Sequence, residues 1–216
     1  MTSALDERIR AHTAVAPVPF VPEVRLHQAD AAIDLWAAME GWTGGELPPP
    51  FWAFAWLGGQ ALARHLLDHP ATVAGKSVLD LAAGSGLVAI AAARAGAAEV
   101  AANEIDEYAL RAIALNASLN GVAVTPVPGD LLDRDAPGAV PDVVLAGDVF
   151  YRRPMAERVL PFLARARAAG ARVLVGDPGR AYLPRERLVA VAKYAVPSSA
   201  DLEDAPVKSV TVWCLP

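Results

Sequence analysis

Four acidic residues stand at matching places along this chain: Asp80 in VLDLAAGSG, Glu104 in ANEIDEYAL, Asp130 in VPGD and Asp148 in AGDVFY. Each follows a short apolar run and precedes a turn or a helical stretch. An acid at the end of a buried strand must be solvated, paired or matched by a ligand. Just past Asp80, Gly84 and Gly86 let the backbone approach a ligand closely. The helix they open offers free N–H groups, so the segment has the form of a nucleotide-binding loop. GSGLVA at 84–89 satisfies the dinucleotide pattern G-x-G-x-x-A. Asp80 argues against a dinucleotide, because a carboxylate beside an anionic pyrophosphate adds a repulsion of a few kcal/mol at an effective dielectric of ~20. S-adenosylmethionine carries an ammonium and a sulfonium and no phosphate, and an acid favours it. The plainer role for Asp80 is a turn or cap aspartate.

The remaining acids extend the same site. Glu104 ends the second strand, roughly 20 residues past the glycines, where a carboxylate can accept both ribose hydroxyls. Asp106 is more simply an N-cap for the helix after it. Asp130 ends the third strand, where it can accept from an adenine amino group while the Leu131 N–H meets a ring nitrogen. Trp56, just before Gly58 and Gly59, can form an aromatic wall that excludes water from a sulfonium and contacts it by cation–π attraction. Phe51 and Phe54 of the same segment suit a core patch.

The elements that must position these residues alternate between strands and helices. A strand over 78–81 leads into a helix over 87–95 that Gly96 ends. Further strands follow over 99–103, 122–127 and 142–147, with Pro126 and Pro128 marking an edge or an end. A helix over 107–116 separates the first two of these. Pro154 suits the first turn of a helix running to about residue 168, and 172–177 is a fifth strand. The loop GDPGR at 176–180 lies on the same rim, where Arg180 can balance part of the acidic charge. Segments 189–196 and 207–214 are two final strands around a polar loop over 197–205. Ligands of open α/β sheets bind outside the carboxyl ends of the strands, and all four acids fall there. Upstream, the sequence predicts a short helix over 3–14, an extended linker at Pro17, Pro19 and Pro22, and an edge strand over 24–28. A helix over 31–40 follows, capped by Asp30 and stopped by Gly41. Gly58 and Gly59 are expected to open a helix over 60–67.

The chain's 216 residues suit one domain, with residues 1–50 as an N-terminal extension that forms a lid or substrate-facing platform, or simply packs on the sheet. A net charge of −5 argues against a nucleic-acid groove. The single cysteine, Cys214, excludes an intramolecular disulfide and a cysteine-cluster metal site. His65 and His69 in HLLDH lack the glutamate of a zinc helix and suit a solvated face near a helix C-terminus, so no metal is expected. MTSALDERIR has no apolar core of a signal peptide, and the run 47–63, with three prolines and two glycines, suits a loop leading into a helix. The expected compartment is the cytoplasm, with no membrane partner.

LDLAAGSG resembles the first motif of seven-strand, Rossmann-like S-adenosylmethionine-dependent methyltransferases, with Ala82 where that motif commonly has glycine. FWAFAWLGGQAL, KSVLDLAAGSG, ANEIDEYAL and AGDVFY together resemble the lysine methyltransferases of the electron transfer flavoprotein β-subunit. These belong to a wider protein-lysine methyltransferase family marked by Asp-x-x-Tyr or Asp-x-x-Phe after the fourth strand, here Asp148 to Tyr151. The likeness runs from about residue 51 to the C-terminus. It implies an α/β class I methyltransferase domain over 51–216, its sheet mostly parallel with an antiparallel last strand. It also implies S-adenosylmethionine as donor and a protein lysine as acceptor, with electron transfer flavoprotein β-subunit the suspected substrate.

The chemistry would be an in-line displacement at the sulfonium carbon. A lysine of reference pKa ~10.4 must first lose its proton, and burial beside a positive sulfur disfavours its charged form. Asp148 would receive and orient the ammonium, Tyr151 would line the lysine channel, and the rest would be proximity. Asp130, Asp133, Asp135 and Asp148 read as an acidic rim that attracts a lysine-rich segment. Base-amine methylases follow the equivalent Asp or Asn with two prolines and an aromatic; Val149 and Phe150 stand there instead, against a nucleic-acid base. Two alternatives stay open: a small-molecule N-methyltransferase, which would share every cofactor residue, and a nicotinamide oxidoreductase, which needs Asp80 to point away.

Overall fold

In the computed structural model, which describes residues 3–132, 140–198 and 206–216, the first helix, α1 (Ala4–His12), begins with a reciprocal capping box between Ser3 and Asp6. Asp6 also takes a two-pronged ion pair from Arg111 (2.8 and 2.7 Å), which ties α1 to the body of the fold. The proline-rich stretch is not a linker. It forms an antiparallel hairpin of β1 (Ala14–Val18) and β2 (Val21–Gln28), a separate two-stranded sheet. Every strand of such a sheet is an edge, so Pro17 and Pro22 leave no ladder bond unmade in a sheet interior. Helix α2 (Ala32–Thr43) has no side-chain cap, so Asp30 does not cap it. It passes through Gly41 and stops at Gly44, whose φ of 71° supplies the left-handed turn.

The main chain then alternates as expected through α3 (Leu57–Asp68), β3 (Ser77–Leu81), α4 (Leu87–Arg94), β4 (Glu99–Glu104), α5 (Glu107–Leu119), β5 (Thr125–Pro128), β6 (Val143–Gly147), α6 (Arg153–Ala168), β7 (Arg172–Asp177), β8 (Val189–Pro197) and β9 (Val207–Cys214). The seven strands from β3 onward lie in the order β5-β4-β3-β6-β7-β9-β8. All pairs are parallel except those of β9, which runs antiparallel to both β7 and β8. The chain leaves β3 toward β4 and β5, then returns to the other side of β3 with β6. The carboxyl ends of β3 and β6 therefore flank the switch point where ligands of such sheets bind.

Strand alternation sorts the core into two faces. Val143 and Leu145 point to the α3–α4–α5 side with Leu62, Val88 and Ile113, while Val144 and Ala146 point to the α6 side with Phe150, Phe162 and Leu163. The N-terminal elements cover the first helical layer from outside. Ile9, Leu35 and Met39 bury against Trp52, Tyr108 and Ala112, and Val21, Val24 and Leu26 against Leu87 and Ile90.

Helix α3 begins at Leu57, so Gly58 and Gly59 lie within its first turn rather than before it. Gly58 is needed there for contact. A Cβ on Gly58 would overlap the Gly176 carbonyl oxygen and stand 2.6 Å from Asp148 Oδ2, and a Cβ on Gly147 would stand 3.0 Å from Gly59. The bare backbones of α3, β6 and β7 thus pack directly on one another. Gly58→Ala is expected to cost about 1–3 kcal/mol, the range for overpacking a filled core, read as a lowered midpoint in urea unfolding with an unchanged m-value.

Among the described residues no helix is long and apolar enough to cross a membrane. His65 is not on a solvated face: it is 4% exposed, and its Nδ1 lies 3.1 Å from the Tyr194 hydroxyl of β8. It shares the inward stripe of α3 with Ala61 and Leu62.

Candidate active site

The loop after β3 carries its own strain. Among the described residues, Ala82 (φ 53°) and Asp148 (φ 55°) are the two non-glycine residues in the left-handed region. They follow β3 and β6, the two strands at the switch point. Such a conformation costs about 1–3 kcal/mol and persists only where the surroundings enforce it. Ala82 takes this φ where a glycine would do so without strain. Gly84 (φ 53°) and Gly86 (φ 79°) complete the turn, and a Cβ on Gly86 would press within 3.2 Å of Ile113. The backbone of Trp52 passes over Gly84, its Cα 3.9 Å from where a Cβ would sit, so the aromatic segment roofs the glycine loop.

Asp80 lies beneath that loop, 1% exposed, and its Oδ2 accepts from the Ala89 N–H in the first turn of α4 (3.0 Å). It therefore does cap work, joining strand to helix. Burial first, and the nearby Glu104 charge, push its carboxyl up to about 8. Glu104 is also raised by burial, against the two N–H groups it accepts: Gly84 to Oε1 and Ile105 to Oε2, both 2.9 Å. Each oxygen of Glu104 thus keeps capacity for a further donor, as a ribose diol requires. Asp106 is the N-cap of α5, accepting from Tyr108 N–H at 2.8 Å.

Asp80, buried, and Glu104, half-buried, both with raised carboxyls beside a glycine cradle, suit a ligand with positive charge. A cation drawn to them lowers the Asp80 pKa in the complex, so the complex holds fewer protons than the free protein. S-adenosylmethionine binding should therefore release a proton near neutral pH, and the affinity should rise as pH climbs toward about 8. Calorimetry in two buffers of different ionisation enthalpy measures this; no proton release at pH 7 would remove Asp80 from the cation's surroundings.

Asp130 lies on the exposed end of the same rim, with Oδ1 accepting from Leu132 N–H (2.9 Å) and Oδ2 paired with Arg158 of α6 (2.7 Å). Burial would raise its carboxyl, but the Arg158 and Leu132 bonds outweigh that and hold it low. Leu131 packs at the margin of the α6-side core. The rim is held by Asn103 of β4, whose amide donates to the Val127 and Gly129 carbonyls (2.9 and 2.8 Å). Asn116 of α5, fully buried, bridges the Ser85 carbonyl of the glycine loop (2.8 Å) and the His27 N–H of the hairpin (2.9 Å). Neither asparagine was singled out in the sequence. Asn116 was findable, since it continues the Ala109, Ala112, Ile113 stripe of α5.

Asp148 is 8% exposed at the end of β6. Its Oδ2 accepts from the Gly59 N–H of α3 (3.0 Å) and its Oδ1 pairs with Arg180 (3.1 Å). Burial, opposed by Arg180 and aided by Asp177, pushes its carboxyl up to about 6. Trp56 stands beside this pair, with the Arg180 guanidinium 5.9 Å from its ring centroid. Phe51 bridges Trp56 and Tyr151, edge-on to each at 5.7 Å. Phe51 is 38% exposed, so it is a rim residue and not the core patch expected; Phe54, at 8%, is core. The structure thus groups Trp56 with Asp148 and Tyr151. It also pairs two of the four rim acids with arginines; Asp133 and Asp135 lie outside the described residues.

The cradle, the raised acids and the Glu104 oxygens fit S-adenosylmethionine; Glu104 would hold its ribose and the loop from Ala82 to Gly86 would lie against it. Comparison with known proteins agrees. The family model for ribosomal protein L11 methyltransferase (PrmA) matches residues 61–147. The solved magnesium protoporphyrin IX methyltransferase from Synechocystis PCC 6803 with bound SAM shares the fold, at a TM-score of 0.55 and 17% identity over 74% of this chain and 80% of that one. The chain is 36% identical to the electron transfer flavoprotein beta subunit lysine methyltransferase of Mus musculus, over 98% of this chain and 86% of the relative. It is 39% identical to that of Xenopus laevis, over 98% and 88%. The chain therefore belongs to the electron transfer flavoprotein beta subunit lysine methyltransferase family, enzymes of the S-adenosylmethionine-dependent seven-strand class.

Proposed function

We propose that this protein transfers methyl groups from S-adenosylmethionine to lysine side chains of electron transfer flavoprotein β-subunit. The observation that carries the lysine reading is the state of Asp148: a buried carboxylate that already holds a side-chain cation, at an aromatic mouth formed by Trp56, Phe51 and Tyr151. A lysine ammonium needs the same two things, an anion at its tip and apolar walls along its stem. The exposed Phe51 edge leaves that mouth open to a side chain borne on a protein.

The donor, when bound, supplies a methyl group activated by a sulfonium. The chain's residues do the rest. Glu104 and the glycine loop fix the donor. Asp148 receives the ammonium through Oδ1 while the Gly59 N–H fixes Oδ2, so the carboxylate cannot rotate. Tyr151, Phe51 and Trp56 line the channel, and the ammonium passes its proton by way of Asp148 to water, which frees the amine lone pair. The N-terminal 50 residues buttress Trp52 and the aromatic segment, and we place part of the docking surface on them. Incubating the enzyme with labelled donor and a cell lysate should label a band of β-subunit mass, with the label recovered as methyl-lysine after acid hydrolysis. Label on another amino acid, or on small molecules alone, would contradict the reading.

A further inference from the structure

Arg180 occupies the place that the lysine reading assigns to substrate. Its guanidinium sits on Oδ1 of Asp148, since Gly59 holds Oδ2. The arginine lies in the aromatic mouth, over Trp56. Its backbone is fixed: Asp177 Oδ1 accepts from both the Gly179 and Arg180 N–H groups (2.6 and 2.7 Å). Exchange of cations on Asp148 must therefore come from the Arg180 side chain, which is 21% exposed at the rim. A guanidinium stays protonated at any working pH and offers no lone pair for methylation. It is also charge-matched to the ammonium it would yield to.

We propose that Arg180 is a resident cation that fills the lysine-ammonium position on Asp148 and must be displaced by the acceptor, which makes it a specificity-determining residue. This rests on the protein-lysine reading above. Displacement exchanges one cation for another on the same carboxylate, so Asp148 is never left buried and unpaired. The Trp56 face remains a contact for the guanidinium. A free amine or a short peptide must break the Arg180 contact with little binding of its own. A folded protein can offset that step with contacts elsewhere on the rim, so Arg180 selects for protein-borne lysine.

Two variants test this. With donor-free protein and a short single-lysine peptide, Arg180→Met is expected to bind at least about fivefold more tightly than wild type by calorimetry. It should also narrow the preference for flavoprotein over peptide in kcat/KM. Equal or weaker peptide binding by Arg180→Met overturns the proposal, since Arg180 then supports Asp148 rather than standing in for substrate. Arg180→Lys decides if Arg180→Met does not fold. It keeps the cation and adds an acceptor, so with S-adenosylmethionine it should acquire a methyl group at position 180. The N–C bond forms as the S–C bond breaks, S-adenosylhomocysteine leaves and the amine proton passes to solvent. The rate per molecule should not depend on enzyme concentration. An Arg180→Lys protein that methylates the flavoprotein but not its own position 180 also overturns the proposal. Wild-type enzyme that labels no lysine in flavoprotein or peptide overturns the functional reading and this proposal together; labelled lysine with unchanged variants overturns this proposal alone.

Discussion

Asp148→Asn is expected to lower turnover by roughly 10²-fold or more while S-adenosylmethionine affinity stays within about threefold. Asparagine keeps the shape and can still accept from the Gly59 N–H, so the first turn of α3 stays seated. It loses the charge that pairs with Arg180 and that would hold an ammonium. The pH dependence gives a second readout. Burial raises the Asp148 carboxyl to about 6, so the free enzyme gains its working anion as pH rises through that value. The profile of kcat/KM should therefore rise through about pH 6 in wild type and lose that limb in Asp148→Asn. The linkage to stability has the opposite sense. A folded-state pKa above the unfolded value of ~3.9 means that ionising Asp148 disfavours the fold as pH climbs from about 4 to 6. Normal turnover in Asp148→Asn would reduce the residue to a structural link between β6 and α3.

Glu104→Ala should act on binding. It removes the charged acceptor proposed for two ribose hydroxyls and releases the Gly84 and Ile105 N–H groups that shape the loop. The expected loss of S-adenosylmethionine affinity is about 1.5–3 kcal/mol, roughly 10- to 150-fold, measured by calorimetry. Glu104 is desolvated in the free protein, so the variant should be no less stable at pH 8 than at pH 6 relative to wild type. Unchanged affinity would remove Glu104 from the site.

Much of this arrangement was legible in the sequence for simple reasons. Buried parallel strands are short apolar runs, and β7 and β9 fall on residues 172–177 and 207–214 as their patterns require. Asp106 caps α5 because an aspartate before an apolar-periodic stretch has few better uses. The pairing of Arg180 with rim charge followed from a cation on a loop of acids. The misreadings share a cause: local signals that tertiary contact overrides. Three prolines suggest a linker until a partner strand is present, and Gly58 and Gly59 suggest a helix boundary until the β6 and β7 backbones are seen against them. His65 looked solvent-facing by residue type, although its place beside Ala61 and Leu62 marked it as core. Phe51 looked like core by type and lies on the rim because Trp56 and Tyr151 hold it there.

The central claim is that Asp148 and its aromatic mouth receive a protein lysine. Purified enzyme, recombinant electron transfer flavoprotein and labelled S-adenosylmethionine, read by mass spectrometry of the β-subunit peptides, test it most directly. The predicted result is methyl groups on lysine of the β-subunit, lost with Asp148→Asn. A flavoprotein left unlabelled while a free metabolite is methylated at a comparable or better rate would contradict the account, and the small-molecule reading would take its place.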